Sequence, residues 1–301
     1  MILLENCLSS IQKFTSDVDY EIIIIDNNST DGEIESVTNQ FENIVLIKNE
    51  KNEGFAKANN RGAQIAKGKY LMLLNNDTIL FENSVKVLLD YARKQSNHFV
   101  LSCKLLNPDN SLQLSAYKFP NILRLIGATF FLDQLFPTFK AFNKYDLTII
   151  NASHLSNVDA VVGALLFLKK ETFFDLKGFD ERFYFYYEDI DLCQRLKNRG
   201  GVTIYVPDTA IYHIGGATAE KSLWFYAKNR SISRIQYAQK NFRSFYKSIF
   251  IFTEQLGKLY KLLIFVLIGI LSFNRKYFKK AWINIKLIFI YPRNKFIKTE
   301  N

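Results

Sequence analysis

Asp77 closes the segment LMLLNND at 71–77, an apolar run that stops abruptly at an acid. A carboxylate held at the carboxyl end of a strand suits a divalent cation carrying a diphosphate, although Asn and Asp are also common turn residues. Asp26 has the same setting, directly after IIII at 22–25 in the stretch IDNNSTDG. Its carboxylate can accept a hydrogen bond from the imide N–H of uracil or thymine. It can also shape the turn while Ser29, Thr30 or Asp31 caps the next helix, and the two roles use different atoms. Asn28 in the same loop is a further candidate nucleotide contact. Glu188 and Asp189 follow five consecutive aromatics, FYFYY at 183–187. Acids at a helix start are favoured by the helix dipole whatever their function. An aromatic wall, however, suits a sugar ring and desolvates a carboxylate, which can then take the proton of an attacking hydroxyl as a general base. His213, followed closely by Gly215 and Gly216 at a strand end, is either a structural histidine or a metal donor.

A further segment, NEGFAKANNRG at 52–62, supplies Gly54, Asn60 and Arg61 as candidate nucleotide contacts. Gly54 permits close approach of the backbone to a ligand, and the helix after it presents unpaired N–H groups. Arg61 is either a diphosphate contact or a solvated helical arginine.

Positioning these groups requires an ordered scaffold, and the hydrophobic pattern supplies one. Helices are expected over 3–14, 32–41, 55–67 and 84–95, and strands over 20–25, 44–47, 70–74 and 99–103. Strands alternating with helices imply an α/β fold with a parallel sheet covered on both faces. The run at 20–25 is too continuous for a one-sided sheet. Residues 107–157, with Pro108, Pro120 and Pro137, are less regular and are expected near the acceptor. Strands over 163–168 and 202–206 and helices over 170–176 and 189–198 follow. From residue 221 onward the pattern is helical.

At 301 residues and 48% hydrophobic content the chain can bury a substantial core and is not disordered. Its three cysteines, Cys7, Cys103 and Cys193, are scattered and odd in number, which argues for a reducing compartment and against a disulfide framework. The net charge of +10 is confined to the end of the chain: residues 240–301 hold 13 Lys/Arg and 2 Asp/Glu, and the rest is near neutral. Such a tail points to a polyanionic surface. Its apolar stretch at 262–273 reaches only about 18 Å as a helix against the ~30 Å of a bilayer core, so it is expected to lie in the interface. No secretory signal opens the sequence.

DNNSTDG, NEGFAKANNRG, LLNND, GFDERFYFYYEDIDLCQRL and YHIGG occur here in one order. That order resembles the family 2 glycosyltransferases of the GT-A fold, particularly bacterial rhamnosyltransferase-like members, over roughly residues 3–235. The resemblance implies a nucleotide-binding, mostly parallel sheet flanked by helices. It implies an inverting transfer from a nucleotide-diphosphate sugar, of the dTDP-rhamnose or UDP-hexose type, to a saccharide that is free or lipid-linked. By motif, Asp26 contacts the base, Asp77 binds Mg²⁺ or Mn²⁺ with the donor diphosphate, and His213 completes the metal site. Asp189 is the general base and Glu188 binds acceptor or donor sugar. The expected domains are a catalytic one over 1–239 and a basic, membrane-associating tail over 240–301. The expected location is peripheral, on the cytoplasmic face of the plasma membrane, in cell-surface polysaccharide synthesis.

Two departures stand out. Many relatives have an acid where this chain has Asn75. The family also opens with a strand of the type VSIIIVNYN, which has no counterpart before the first helix here, so the expectation is a fragment or a misassigned start. That departure motivates a rival reading, a glycosyltransferase-like module that binds without catalysing. Nucleic-acid binding is disfavoured because the basic residues are interleaved with an apolar run. A dehydrogenase is disfavoured because no G-x-G-x-x-G follows any strand.

Overall fold

In the computed structural model, residues 1–30, 32, 34–146, 149, 150, 153–215 and 223–290 are described. The chain divides into two compact units, residues 1–119 with 144–221, and residues 120–143 with 222–301. The first unit opens with α1 (Ile2–Phe14), β1 (Ile22–Asp26), α2 (Ile34–Thr38), β2 (Ile44–Lys48) and α3 (Phe55–Ile65). It continues with β3 (Tyr70–Leu74), β4 (Thr78–Leu80), α4 (Ser84–Arg93), β5 (Phe99–Leu106), β6 (Leu112–Gln113) and β7 (Ala116–Tyr117). Two helices of the second unit intervene, α5 (Ile122–Thr129) and α6 (Leu132–Leu135). The first unit then resumes with β8 (Ser156–Val158), β9 (Ala160–Val161), β10 (Leu165–Lys169), α7 (Lys170–Asp175), α8 (Glu188–Asn198) and β11 (Val202–His213). The second unit is completed by α9 (Leu223–Asn241), α10 (Ser244–Ser272) and α11 (Arg275–Ile288).

The α/β class is as expected, but the main sheet is mixed. Its seven strands follow the order β3-β10-β5-β11-β4, with β6 on β5 and β8 on β11. β11 runs parallel to β5, while β10 is antiparallel to both β3 and β5, and β4 is antiparallel to β11. Parallel neighbours arise through helical crossovers, and β10 instead enters from the irregular stretch before residue 165. Leu80, Leu88, Phe99, Leu101, Leu105 and Leu165 are completely buried on this sheet, each side chain contributing roughly 1.5–3 kcal/mol. α4 covers it with Val85, Leu88, Leu89 and Ala92, at helical spacing, and Asn83 caps the helix through the Lys86 N–H.

β1 and β2 form a separate parallel pair, in register from Ile22–Ile44 to Asp26–Lys48. Ile22 to Ile25 are only partly buried, against the expectation of cover on both faces. Leu4 and Leu8 of α1 and Ile34 and Val37 of α2 cover this pair, and the other edge of β1 carries no strand among the described residues. The helix expected over 32–41 is shorter than expected, since α2 spans five residues and ends at Thr38. The strand expected over 202–206 runs on to His213 past an irregularity between Val206 and Ala210. The three cysteines are buried and unpaired.

The second unit is helical. The apolar stretch at 262–273 is the end of α10, a 29-residue helix about 43 Å long at 1.5 Å per residue. By length and composition α10 is long and apolar enough to cross a bilayer. Phe273 turns the chain in the left-handed region (φ 49°) and Asn274 caps α11. α10 and α11 then pack as a hairpin, with Phe265 against Tyr277 and Lys258 Nζ donating to the Leu287 carbonyl. Leu125, Ala238 and Phe250 make a small core among α5, α9 and α10.

Candidate active site

All nine candidate residues fall in the first unit. Asp26, buried at the end of β1, accepts the Ser29 N–H through Oδ1 at 3.0 Å, so it does shape the turn. Its Oδ2 makes no hydrogen bond among the described residues and remains for a ligand. Asn28 is exposed, in the left-handed region at φ 62°. Asp31, the third capping candidate, and Gly216, the second glycine after His213, lie outside the described residues. Neighbouring Asn27 carries more of the architecture: it donates to the Gly54 carbonyl at 3.1 Å and accepts from Asn49 Nδ2 at 2.7 Å. Asn49 in turn receives Arg61 Nη1, so the exposed Arg61 is tethered to this loop.

Two residues of 52–62 do something other than expected. The close approach that Gly54 permits, at φ 89°, is made by Tyr184: a Cβ there would lie 2.6 Å from the Tyr184 carbonyl oxygen. Tyr184 O also accepts the Phe55 N–H at 3.0 Å. Asn60 clamps the loop at 178–181, donating to Phe179 O at 2.9 Å and Glu181 Oε1 at 3.0 Å and accepting the Phe179 N–H at 2.8 Å. Both amide hydrogens are used within the chain, which leaves Asn60 no donor for a nucleotide.

Asp77 and His213 converge because β4 pairs antiparallel with the end of β11, setting His213 opposite Thr78. The Ile214 N–H bonds the Asp77 carbonyl at 2.9 Å, and His213 Nε2 stands 3.4 Å from Asp77 Oδ1. Asp77 Oδ1 is buried without a hydrogen-bond partner. The histidine is set from behind by Gln113. Its amide nitrogen donates to Asn107 Oδ1 at 2.9 Å, so its oxygen faces His213 Nδ1 at 2.6 Å and accepts from it. Nδ1 then carries the hydrogen, and in the neutral ring Nε2 turns a lone pair toward an orphaned carboxylate oxygen. Two acceptors facing each other at this distance fit a cation between them. Among the described residues no cluster of three or more His, Cys, Asp or Glu side chains forms such a site. Asp77 and His213 are therefore a two-donor seat, suited to a cation whose other ligands are phosphate oxygens and water.

Glu188 and Asp189 open α8 after Tyr186 and Tyr187, both at positive φ (72° and 74°), a backbone kink that turns the acids inward. Both acids are buried. Asp189 accepts the Gly163 N–H at 2.9 Å and the Ile190 N–H at 2.7 Å. Burial raises its carboxyl to about 6 despite those bonds. Glu188 is pushed well above the usual carboxylate range, first by burial and then by Asp189, and its Oε2 has no partner. The aromatic loop packs onto the start of α3 through an edge-to-face contact of Phe55 and Phe185. The two acidic centres are joined by a short path. Gly163 N–H holds Asp189, and the carbonyl of the next residue, Ala164, accepts the N–H of Asn75, two residues before Asp77. Sequence reading missed Asn27, Gln113 and Gly163. Gln113 lies 100 positions from His213 and belongs to no motif.

The model of glycosyl transferase family 2 matches residues 3–155, and that described as the N-terminal domain of galactosyltransferase matches residues 148–217. Together they take in every candidate residue. N-acetylglucosaminyl-diphospho-decaprenol L-rhamnosyltransferase of Mycobacterium tuberculosis is 28% identical over 203 residues, 64% of this chain and 66% of its own. Rhamnosyltransferase WbbL of Escherichia coli K12 is 28% identical over 162 residues, 51% of this chain and 58% of its own. O-antigen biosynthesis protein RfbC of Myxococcus xanthus is 27% identical over 219 residues, 70% of this chain and 16% of its own. The chain thus spans less than two thirds of the length of these relatives. Among solved structures, GalNAc-T7 with UDP, GalNAc and Mn²⁺ superposes with a TM-score of 0.52 at 18% identity, over 79% of this chain and 48% of that one. The Pyrobaculum calidifontis mannosyltransferase PcManGT with GDP-Man and Mn²⁺ also gives 0.52, at 14% identity, over 95% of this chain and 81% of that one. At those identities the likeness is one of fold.

Proposed function

Since the chain belongs to glycosyltransferase family 2, we propose that it moves a sugar from a nucleotide-diphosphate donor to a saccharide carried on a lipid. The observation that carries this reading is the path from Asp77 through Asn75, Ala164 and Gly163 to Asp189, which ties a cation seat to a buried base. Relatives named as rhamnosyltransferases favour a dTDP-rhamnose type of donor, with UDP-hexoses as the other candidates. The diphospho-decaprenol acceptor in the mycobacterial name favours a lipid-linked acceptor.

In this reading the open oxygen of Asp26 accepts the imide N–H of the base, with Asn28 and Arg61 in the same loop system. Asp77 and His213 hold Mg²⁺ or Mn²⁺, which when bound neutralises charge on the leaving diphosphate. Asp189 takes the proton of the acceptor hydroxyl. The hydroxyl oxygen bonds to the anomeric carbon as the bond to the diphosphate breaks on the opposite face, so configuration inverts. A base that ionises near 6 is charged at neutral pH and still accepts a proton well. Glu188, pushed toward its neutral form first by burial and then by Asp189, offers a hydrogen bond to a sugar oxygen. The tail from residue 240 onward would lie on the cytoplasmic face of the plasma membrane, its apolar side chains in the interface and its lysines and arginines at anionic headgroups.

The test is a screen of dTDP-rhamnose and UDP-hexoses with Mn²⁺ and a short prenyl-diphosphate saccharide, reading product and released nucleotide. One donor should give product, and Asp189→Asn should bind that donor without turning it over. Product formation undiminished in Asp189→Asn would sink the assignment of the base.

A further inference from the structure

The second unit encloses a cavity of about 270 Å³ among α5, α9, α10 and α11. Its charged lining is lopsided. Arg230 and Arg234 come from α9, Lys258 and Lys261 from α10 and Lys280 from α11, against Glu254 alone. Glu254 is already engaged, taking Arg234 Nη1 at 2.7 Å and the Ser231 hydroxyl at 3.4 Å. Lys258, only 3% exposed, donates to the Leu287 carbonyl at 3.2 Å. Lys261 donates to the Ala128 carbonyl at 3.4 Å. Both carbonyls sit in the last turn of a helix and carry the negative end of the dipole, and that of Leu287 also accepts the Ile290 N–H at 3.1 Å. They offset only part of a full charge. Burial accordingly lowers Lys258, and burial followed by the nearby Arg234 lowers Lys261 to about 8.

Lysines are almost never fully buried unless paired, because an uncompensated buried charge costs several kcal/mol. The cavity has room for several waters at about 30 Å³ each and approaches the lower end of small-molecule sites. Its lining also includes apolar Leu223, Phe265 and Ile283. The three lysines present more positive charge to the cavity than Glu254, with Asp133 near Lys261, balances among the described residues.

The hairpin indicates where a balancing anion comes from. On α10 the cavity takes Glu254, Gly257, Lys258, Lys261 and Phe265, one face at three- and four-residue spacing. The opposite face exposes Phe252, Leu256, Leu259, Leu263, Leu267 and Ile270. α11 repeats the arrangement, with Lys280, Asn284 and Leu287 toward the cavity and Phe278, Trp282 and Phe289 exposed on the reverse. An interfacial helix sinks its apolar face about 5–10 Å into the headgroup boundary. With a helix diameter of about 10 Å, the cavity then stands at the level of lipid phosphates.

We propose that this cavity binds the phosphate or diphosphate group at the head of a lipid chain. Lys258, Lys261 and Lys280 supply its counter-charge. Two sources share that chemistry, a bilayer phospholipid and an isoprenyl diphosphate, and the second would make the cavity the acceptor-lipid site of the proposed transfer. Binding itself does not rest on that transfer.

The experiment uses the full chain carrying Asp77→Ala, which disables the proposed donor site, and measures geranyl diphosphate, inorganic diphosphate and geraniol by calorimetry. Geranyl diphosphate should bind and geraniol should not. Lys258→Met with Lys261→Met should weaken it by about tenfold or more, the scale of losing a charge-assisted hydrogen bond. Lys280→Glu, at a half-buried position over the Phe265 and Tyr277 rings, should weaken it in the same direction and decides the matter if the double variant does not fold. Displacement by phosphatidylglycerol vesicles, with phosphatidylcholine as control, would assign the site to phospholipid headgroups. Failure of vesicles to displace would assign it to isoprenyl diphosphates. No geranyl diphosphate binding, or binding indifferent to Lys280→Glu, would overturn the proposal. Because the donor site is disabled throughout, these results stand whether or not sugar transfer is ever found.

Discussion

Two places in this molecule gather like charge out of water, one acidic and one basic. At the start of α8, Glu188 and Asp189 lie side by side and buried, and backbone N–H groups of Gly163 and Ile190 hold one of them. In the helical unit, Lys258 and Lys261 are held by backbone carbonyls at helix ends. The carboxylates can relieve the strain by taking up a proton, which suits Glu188 as a hydrogen-bond donor and makes Asp189 a better proton acceptor. The lysines relieve it by losing a proton or by meeting an anion, since Glu254 is shared with Arg234 and Asp133 offsets only part of the charge at Lys261. Protonation state therefore answers for the first cluster, and a ligand answers for the second.

The largest expected effect comes from Asp189→Asn. Turnover should fall by roughly 10²–10⁴, the range of a lost general base, while stability at neutral pH should rise. The sign follows from burial. Asp189 in the folded chain is raised from 3.8 to about 6, so the folded state binds the proton more tightly and stability falls as pH climbs through that window. The loss is on the order of 3 kcal/mol, and Asp189→Asn should remove it. Urea melts of both forms at pH 4 and pH 7 check this. The same protonation puts an acid limb near pH 6 in the pH profile of the wild type.

Next is a pair of opposite sign. Glu254→Gln removes the one carboxylate among five cations and should cost about 3 kcal/mol, the scale of breaking a buried ion pair. Glu188→Gln replaces a buried acid that favours its neutral form with a neutral isostere and should not destabilise. If Glu254→Gln melts like the wild type, the basic cluster is not electrostatically stressed and the contrast between the two places fails.

A smaller effect is expected at Gln113, which orients the His213 ring from behind. Gln113→Ala should weaken Mn²⁺-dependent binding of UDP or dTDP by about tenfold, as for other partners of metal-ligating histidines. Fold and metal-free binding should be unchanged.

The elements of the first unit were largely legible, because apolar periodicity and turn residues are local signals. Asp77 and His213 could be picked individually from their positions at strand ends. What the sequence hid was partnership. Nothing local tells that β10 runs against β3 and β5, since strand direction is set by connections and not by the residues of the strand. The four isoleucines at 22–25 looked fully covered, yet a two-stranded sheet has too little surface to bury them. The short apolar stretch at 262–273 gave no sign of the full helix length for a similar reason. The helix continues back to Ser244 through Glu254, Lys258 and Lys261, residues whose burial depends on a neighbouring helix far along the chain.

Asn60 gives the smallest and most specific test, because sequence and structure assign it differently. Its motif placed it with the nucleotide contacts, while its amide spans from α3 to the loop at 178–181 with three hydrogen bonds. Gly178 sits against it at φ 64°, where a Cβ would come 2.5 Å from Asn60 Oδ1. The clamp holds Phe179, which packs against Phe55 at the head of the site. Asn60→Ala should therefore cost about 1–2 kcal/mol of stability, the scale of partly exposed hydrogen bonds left unmade. UDP and dTDP affinity at a temperature where the chain is folded should be unchanged. Asp26→Ala should do the reverse for the nucleotide, because its free oxygen is the one proposed to meet the base. If Asn60→Ala loses nucleotide affinity while its melt stays unchanged, the clamp opens in the bound state and Asn60 rejoins the contacts its motif suggested.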